Sequence, residues 1–183
     1  SDASFLNYTP RLAVVTNVEP DHLDHYGTRE AFEEAFVEFS RLIVPGGLLV
    51  VCADDDGAAR LGDTALSEGA RVVSYGRGES LAGAERHVHI GDESHVEGYA
   101  RGTFDDGSGC YPVTLHVVGG HNLLNAAAAW AAGVELGQQP AAMAEALGSF
   151  VGTGRRFETT GSANGITVVD DYAHHPTEVA ATL

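Results

Sequence analysis

Residues 12–52, LAVVTNVEPDHLDHYGTREAFEEAFVEFSRLIVPGGLLVVC, contain two short apolar runs separated by a polar segment and a helical pattern. The runs at residues 12–16 and 48–52 are continuous rather than alternating, which is typical of strands buried on both faces of a parallel sheet. Between them, four apolar residues have the spacing of one helix face: Phe32, Phe36, Phe39 and Ile43. This order predicts a strand, a crossover helix and a parallel second strand.

The same succession continues along the chain. Residues 54–67 have a weaker helical pattern, and residues 71–75 form a third apolar run. After Gly78 the period changes to two, in three segments: residues 86–91, 95–104 and 111–118. We therefore predict an α/β fold with a mostly parallel, doubly wound sheet and an appended antiparallel meander, whose first turn lies at residues 91–94.

The last third of the chain has the patterns of five more elements: helices at 121–136 and 140–147, strands at 157–160 and 166–170, and a helix from Pro176. The glycine-rich connector at residues 150–154 is the best candidate for a domain boundary. We expect one domain over residues 1–153 and the opening of another over residues 154–183.

Composition excludes several function classes. The 183 residues carry ten arginines, no lysine and a net charge of −16. Schiff-base chemistry needs an amine, and a complete phosphate-binding loop of the G-x-x-x-x-G-K-[ST] type needs its lysine. An acidic chain also lacks the basic face that nucleic acids demand. We expect no nucleic-acid partner and no complete phosphate-binding loop within these residues.

The composition also predicts the cellular compartment of the protein. Cys52 and Cys110 form no C-x-x-C pair, which favours a reducing compartment. No apolar run approaches the roughly 18–20 residues that span a bilayer, and no signal peptide opens the chain. A cytoplasmic protein without a membrane partner is expected.

The first candidate site follows the first apolar run and contains Asn17 and Glu19. The next residues concentrate carboxylate and imidazole groups: Asp21, His22, Asp24 and His25. Since ligands of open α/β sheets lie at the carboxyl ends of strands, these groups suit Mg²⁺ or Mn²⁺ beside a nucleotide. A solvated polar loop with Asp24 as a helix-capping acid is the alternative.

The second candidate site is the start of the alanine-rich helix. Asn122 and Asn125 are three residues apart and lie on one side of the first turn. A carboxamide can donate to one ring nitrogen and accept from an amino group, which matches the N6/N7 edge of an adenine. On spacing alone, ordinary helix capping by Asn122 is the favoured explanation.

The third candidate is the adjacent pair Arg155 and Arg156 beside Gly152 and Gly154. Guanidinium groups are permanently charged and bind phosphate through two parallel hydrogen bonds. The pair therefore suits a phosphate clamp. The alternative is a pair of surface arginines that form ion pairs with acidic residues.

The fourth candidate follows the strand at 166–170. Asp171 could bind ribose hydroxyls, and His174 or His175 could contact a substrate. The alternative is a polar loop before a helix that starts with Pro176. A zinc site is not expected because no third soft ligand lies nearby.

Taken together, the four motifs resemble the Mur ligase family: TNVEPDHLD at 16–24, HNLLNA at 121–126, GRRFE at 154–158 and DDYAHHPTE at 170–178. The resemblance covers the whole chain and is closest to the members that join L-alanine to UDP-N-acetylmuramate in peptidoglycan precursor synthesis. It implies a central ATPase domain up to residue 153 and the start of a Rossmann-like domain that receives the amino acid.

The resemblance also implies roles for individual residues. His22 and Asp21 would bind magnesium, and Asn17 and Glu19 would line that metal site. Asn122 and Asn125 would contact adenine, with His121 close by. Asp171 would contact the ribose. Arg156 would touch the ATP phosphates, while Tyr172, His174 and His175 would lie where L-alanine arrives. His22, Arg156 and His174 are the expected catalytic residues.

The chemistry implied is activation of a carboxylate by ATP. The muramate carboxylate attacks the γ-phosphate, and the amine of L-alanine displaces phosphate from the acyl phosphate. The chain starts at Ser1 and ends within a helix, so we expect a fragment whose lysine loop lies upstream and which is inactive alone. A ligase that recycles murein peptides, a non-catalytic nucleotide-binding module and an acidic structural domain are the alternatives.

Overall fold

A computed structural model describes residues 3–20, 26–96, 98–117, 119–174 and 176–182. Six strands form one sheet in sequence order: β1 (Leu12–Val15), β2 (Leu48–Cys52), β3 (Arg71–Gly76), β4 (Arg86–Val96), β5 (Tyr99–Asp105) and β6 (Cys110–Leu115). Strands β1 to β4 pair in parallel, and β5 and β6 add antiparallel pairs. The predicted α/β class with a mostly parallel sheet is confirmed.

The predicted turn at residues 91–94 is wrong. These residues belong to β4, and the reversal of the chain lies between Val96 and Tyr99. The β4–β5 register shifts between Gly91 and Ser94, where the partners on β5 are only two residues apart. A β-bulge absorbs the extra residue, so turn-like residues such as Asp92, at a φ of 51°, fit inside a strand. The meander is thus continuous with the parallel sheet through β4.

Four helices accompany this sheet: α1 (Arg29–Arg41), α2 (Asp56–Ser67), α3 (Gly120–Glu135) and α4 (Pro140–Gly148). Two of them start at side chains that accept a backbone hydrogen bond from the first turn. Thr28 accepts from the N–H of Ala31 before α1, and Asp55 accepts from the N–H of Ala58 before α2.

Helices cover both faces of the sheet. On one face, the side chain of Val51 in β2 lies against Gly62 of α2. On the other face, Phe104 of β5 packs on Trp130 of α3, with ring centroids 6.1 Å apart. Both aromatic side chains are fully buried. Burial on both sides explains why β2 is a continuous apolar run instead of an alternating one.

The last part of the chain forms a separate two-stranded hairpin, β7 (Glu158–Ala163) and β8 (Ile166–Asp170), followed by α5 (Pro176–Thr182). Its turn residues Asn164 and Gly165 both have positive φ, which is the requirement of the tight hairpin turns that Asn-Gly favours. No helix in the described part of the chain is long and apolar enough to cross a membrane.

Candidate functional site

A cleft of about 1100 Å³ opens at the carboxyl ends of β1, β2 and β3. Its walls come from the loops after β1 and β2, the first turns of α3, the connector around Thr153 and the segment after β8. In open α/β sheets this edge is where ligands bind, because the strand ends and helix starts leave backbone and side-chain groups exposed together. The volume is slightly above the roughly 300–1,000 Å³ that is typical of small-molecule sites.

Seven of the residues singled out from the sequence line this one cleft: Asn17, Glu19, His121, Asn122, Asn125, Arg156 and Asp171. They come from four separate motifs, and the fold brings them together. Tyr172 and His174 lie beside the cleft and do not line it. Asp21, His22, Asp24, His25 and His175 lie outside the described residues.

The loop after β1 is fixed by Asp55. One oxygen of this carboxylate accepts the N–H of Ala58 at 2.7 Å and the N–H of Val18 at 3.0 Å. Asp55 therefore caps α2 and anchors the loop that presents Asn17 and Glu19. Two residues after the cap, Gly57 passes so close to the Val18 carbonyl that a Cβ atom would overlap it.

The first turn of α3 presents polar side chains to the cleft. The helix is capped by Gly119, at a φ of 98° and without a side-chain hydrogen bond, so the capping role considered for Asn122 is wrong. Asn122 instead lies in the first turn, and Asn125 follows on the same side. Partial removal of water lowers the pKa of the His121 imidazole, and the nearby Asp171 carboxylate opposes this effect.

Asp171 is held by the backbone of its own segment. Its oxygens accept the N–H of Ala173 at 2.7 Å and the N–H of Phe157 at 2.7 Å. These two hydrogen bonds, followed by the charge of Arg156, lower the pKa of the Asp171 carboxyl. The cleft therefore holds an ionised carboxylate at neutral pH, next to the first turn of α3.

The arginine pair is split between two environments. Arg156 lines the cleft, whereas the Nε of Arg155 lies 3.7 Å from Asp170. Both guanidinium groups lie near the ring of Tyr172, at 4.9 Å for Arg155 and 5.8 Å for Arg156. The Nδ1 of His174 lies 3.0 Å from the Tyr172 carbonyl oxygen. Tyr172 is thus packed against cationic groups.

Sequence reasoning missed four lining residues: Cys52, Asp54, Asp55 and Tyr75. All lie at or just beyond the carboxyl ends of β2 and β3, and this position was the signal that could have identified them. Burial raises the pKa of both the Cys52 thiol and the Tyr75 phenol. Tyr75 is fully buried, and its hydroxyl, which interacts with the Cys52 thiol, makes no hydrogen bond of regular geometry with any other described residue.

The cleft contains oxygen donors of the kind that a hard cation prefers, on Asn17 and Glu19. The described residues do not bring three His, Cys, Asp or Glu side chains together as a metal site. The ligands expected from the sequence, His22 and Asp21, lie outside those residues.

Comparison with protein families matches residues 2–133 to the Mur ligase middle domain and residues 155–183 to the Mur ligase glutamate ligase domain. The chain is 53% identical over 183 residues to the UDP-N-acetylmuramate–L-alanine ligase of Kineococcus radiotolerans, covering all of this chain and 38% of that protein. The chain therefore spans less than two fifths of the length of this relative.

Solved structures give the same result for the fold. The UDP-N-acetylmuramate-alanine ligase of Thermotoga maritima superposes with a TM-score of 0.75 and 29% identity, over 98% of this chain and 39% of that one. The MurF ligase of the same organism, solved in complex with ADP, superposes with a TM-score of 0.77 and 23% identity, over 98% of this chain and 40% of that one.

Proposed function

This chain belongs to the Mur ligase family, and from that premise we propose that it is part of an ATP-dependent ligase that joins L-alanine to UDP-N-acetylmuramate in peptidoglycan precursor synthesis. The observation that carries the proposal is the convergence of four separate sequence motifs on one cleft at the carboxyl edge of the sheet. The choice of L-alanine is supported by relatives that are named UDP-N-acetylmuramate–L-alanine ligase and that match the whole chain.

The proposed roles follow from the chemistry of the lining groups. The carboxamides of Asn122 and Asn125 hold the adenine edge, and the Asp171 carboxylate accepts hydrogen bonds from ribose hydroxyls. The permanent charge of Arg156 stabilises the phosphates. Neutral His121 can lie beside the base without placing a cation there. These groups bind and orient ATP. In phosphoryl transfer, such positioning together with charge stabilisation supplies most of the catalysis.

The acceptor side is assigned to the segment that follows β8. Tyr172, His174 and His175 are proposed to receive L-alanine, whose amine displaces phosphate from the muramyl acyl phosphate. His22 and Asp21, with Asn17 and Glu19 lining the site, are the proposed magnesium residues. Mg²⁺ bound there would neutralise charge on the ATP phosphates.

We further propose that residues 1–153 belong to the central ATP-binding domain and residues 154–183 to the domain that receives the amino acid, in a cytoplasmic enzyme. Since the chain has no lysine, it lacks the lysine of a phosphate-binding loop and is expected to be inactive alone.

Phosphate release by the ligase that contains this chain tests the proposal. With ATP, release should require both UDP-N-acetylmuramate and L-alanine, and residues 1–183 alone should release none. Equal turnover with a murein tripeptide in place of L-alanine would favour a recycling ligase. Binding of ATP without turnover of any acceptor would favour a non-catalytic module.

A further inference from the structure

We propose that Arg77 is a positioning residue that fixes the nucleotide end of the cleft without touching it; this rests on the proposed function, since it assumes that the first turn of α3 binds the base. Arg77 comes directly after β3 and does not line the cleft. Its backbone and side chain connect the ends of β2 and β3, the middle of β4 and the start of α3.

The first connection runs to Asp54 at the end of β2. The N–H groups of Arg77 and Gly78 both donate to this carboxylate, at 2.9–3.0 Å, and Nη1 of Arg77 lies 3.5 Å from Oδ2. A Cβ atom on Gly76 would overlap the same carboxylate. The loop after β3 is therefore built around Asp54, which itself lines the cleft.

The second connection runs to Glu93 in the bulge of β4. Nε and Nη2 of Arg77 donate to the two oxygens of Glu93, which is the two-point geometry that orients a guanidinium group. The bulge between Gly91 and Ser94 sets where Glu93 points. The misread turn at residues 91–94 thus has a structural use.

The third connection reaches the helix that carries the candidate adenine contacts. Nη2 of Arg77 donates to the carbonyl oxygen of Gly120 at 2.9 Å. A Cβ atom on Gly120 would lie 2.9 Å from this nitrogen, so a larger residue there would displace the guanidinium group. Two residues later, Asn122 faces the cleft.

Helix stability does not explain this bond. A carbonyl in the first turn of a helix already accepts the N–H four residues further on, and a cation near a helix N-terminus is unfavourable. Glu93 and Asp54 offset that charge. The contact instead positions the first turn of α3, because it sets the distance between that turn and the carboxyl ends of the strands.

The test compares Arg77→Ala with a matched control in the ligase that contains this chain. Arg71, at the opposite end of β3, pairs with Glu85 through two hydrogen bonds and donates to the Gly46 carbonyl. It thus has the same kinds of partner away from the cleft. Titration calorimetry with MgADP should give an affinity about tenfold weaker for Arg77→Ala, and unchanged for Arg71→Ala.

Steady-state kinetics separate positioning from a general loss of structure. Arg77→Ala should raise KM for ATP about tenfold while kcat and KM for L-alanine change little. Arg77→Lys should recover part of the affinity, since lysine keeps the charge but lacks the planar fork. If Arg77→Ala does not fold, Glu93→Gln removes one anchor of the guanidinium and should weaken MgADP in the same direction.

An unchanged MgADP affinity in Arg77→Ala, or an equal loss in Arg71→Ala, would overturn the proposal, and so would a wild-type ligase that does not bind MgADP. A wild-type ligase that binds MgADP but shows no turnover with L-alanine would contradict the proposed function only. The comparison of ADP affinities would still decide the role of Arg77.

Discussion

Single carboxylates hold the cleft together by accepting backbone hydrogen bonds from two places at once. Asp55 joins the loop after β1 to the start of α2, and Asp171 joins Phe157 to Ala173. Short polar motifs near strand ends pointed to Asp171 as a ligand-binding residue, but not to this anchoring role. Which N–H a carboxylate accepts depends on loop geometry, which sequence spacing does not specify.

Replacing Asp55 with alanine should destabilise the fold by about 2 kcal/mol, since it removes a helix cap and leaves the Val18 N–H without its acceptor. Thr28→Ala is the matched control, because Thr28 caps α1 with a single bond to Ala31; its loss should be about 1 kcal/mol or less. Urea denaturation of both variants measures the difference. Equal losses would mean that the bond to Val18 contributes nothing.

The titration of His121 should depend on Asp171. Loss of water around the ring places the pKa of His121 below 6.5 and the Asp171 charge opposes that shift, so Asp171→Asn should lower the pKa further. Because the unfolded chain then binds the proton more readily, this group reduces stability as the pH falls below 6.5. NMR titration of the imidazole measures the midpoint.

Asp170→Asn serves as the control for that titration, because Asp170 lies near Arg155 and not among the groups acting on His121. A midpoint that moves equally in both variants would contradict a specific effect of Asp171.

At the scale of elements, sequence patterns predicted the strands and helices well because burial sets their periods. Continuous apolar runs identified β1, β2 and β3, and the phenylalanine spacing identified α1. The bulge in β4 was misread as a turn, since Gly, Asp and Ser favour both. The sequence also did not indicate how closely the elements approach one another. The contact of Gly57 in α2 with the backbone of Val18 is the clearest example.

Gly57→Ala should destabilise the fold by about 1–3 kcal/mol, because the new methyl group meets the fixed backbone of Val18. Gly133→Ala in α3 is the control, since there a Cβ atom meets only the flexible end of Met143. That variant should be neutral or gain up to about 1 kcal/mol from helix propensity. Thermal unfolding compares the two, and equal effects would argue against a rigid contact at Val18.

At the scale of the whole molecule, a buried sheet positions a polar edge. Four motifs spread over residues 16–178 meet at this edge, and the order of elements in the sequence was enough to predict that ligands bind there. The sequence did not indicate that Tyr172 would stack near both arginines, or that Arg77 would connect four elements. Such contacts depend on how close two segments lie in the folded protein, and their separation along the sequence does not indicate that distance.

The central claim is that this edge binds the adenine end of ATP through Asn122 and Asn125. The most direct measurement is the ratio of kcat/KM for ATP to kcat/KM for GTP in the ligase that contains this chain, with and without Asn125→Ala. A carboxamide paired with the adenine edge discriminates by about 1–3 kcal/mol, so the ratio should fall about tenfold or more in the variant. An unchanged ratio would contradict the account.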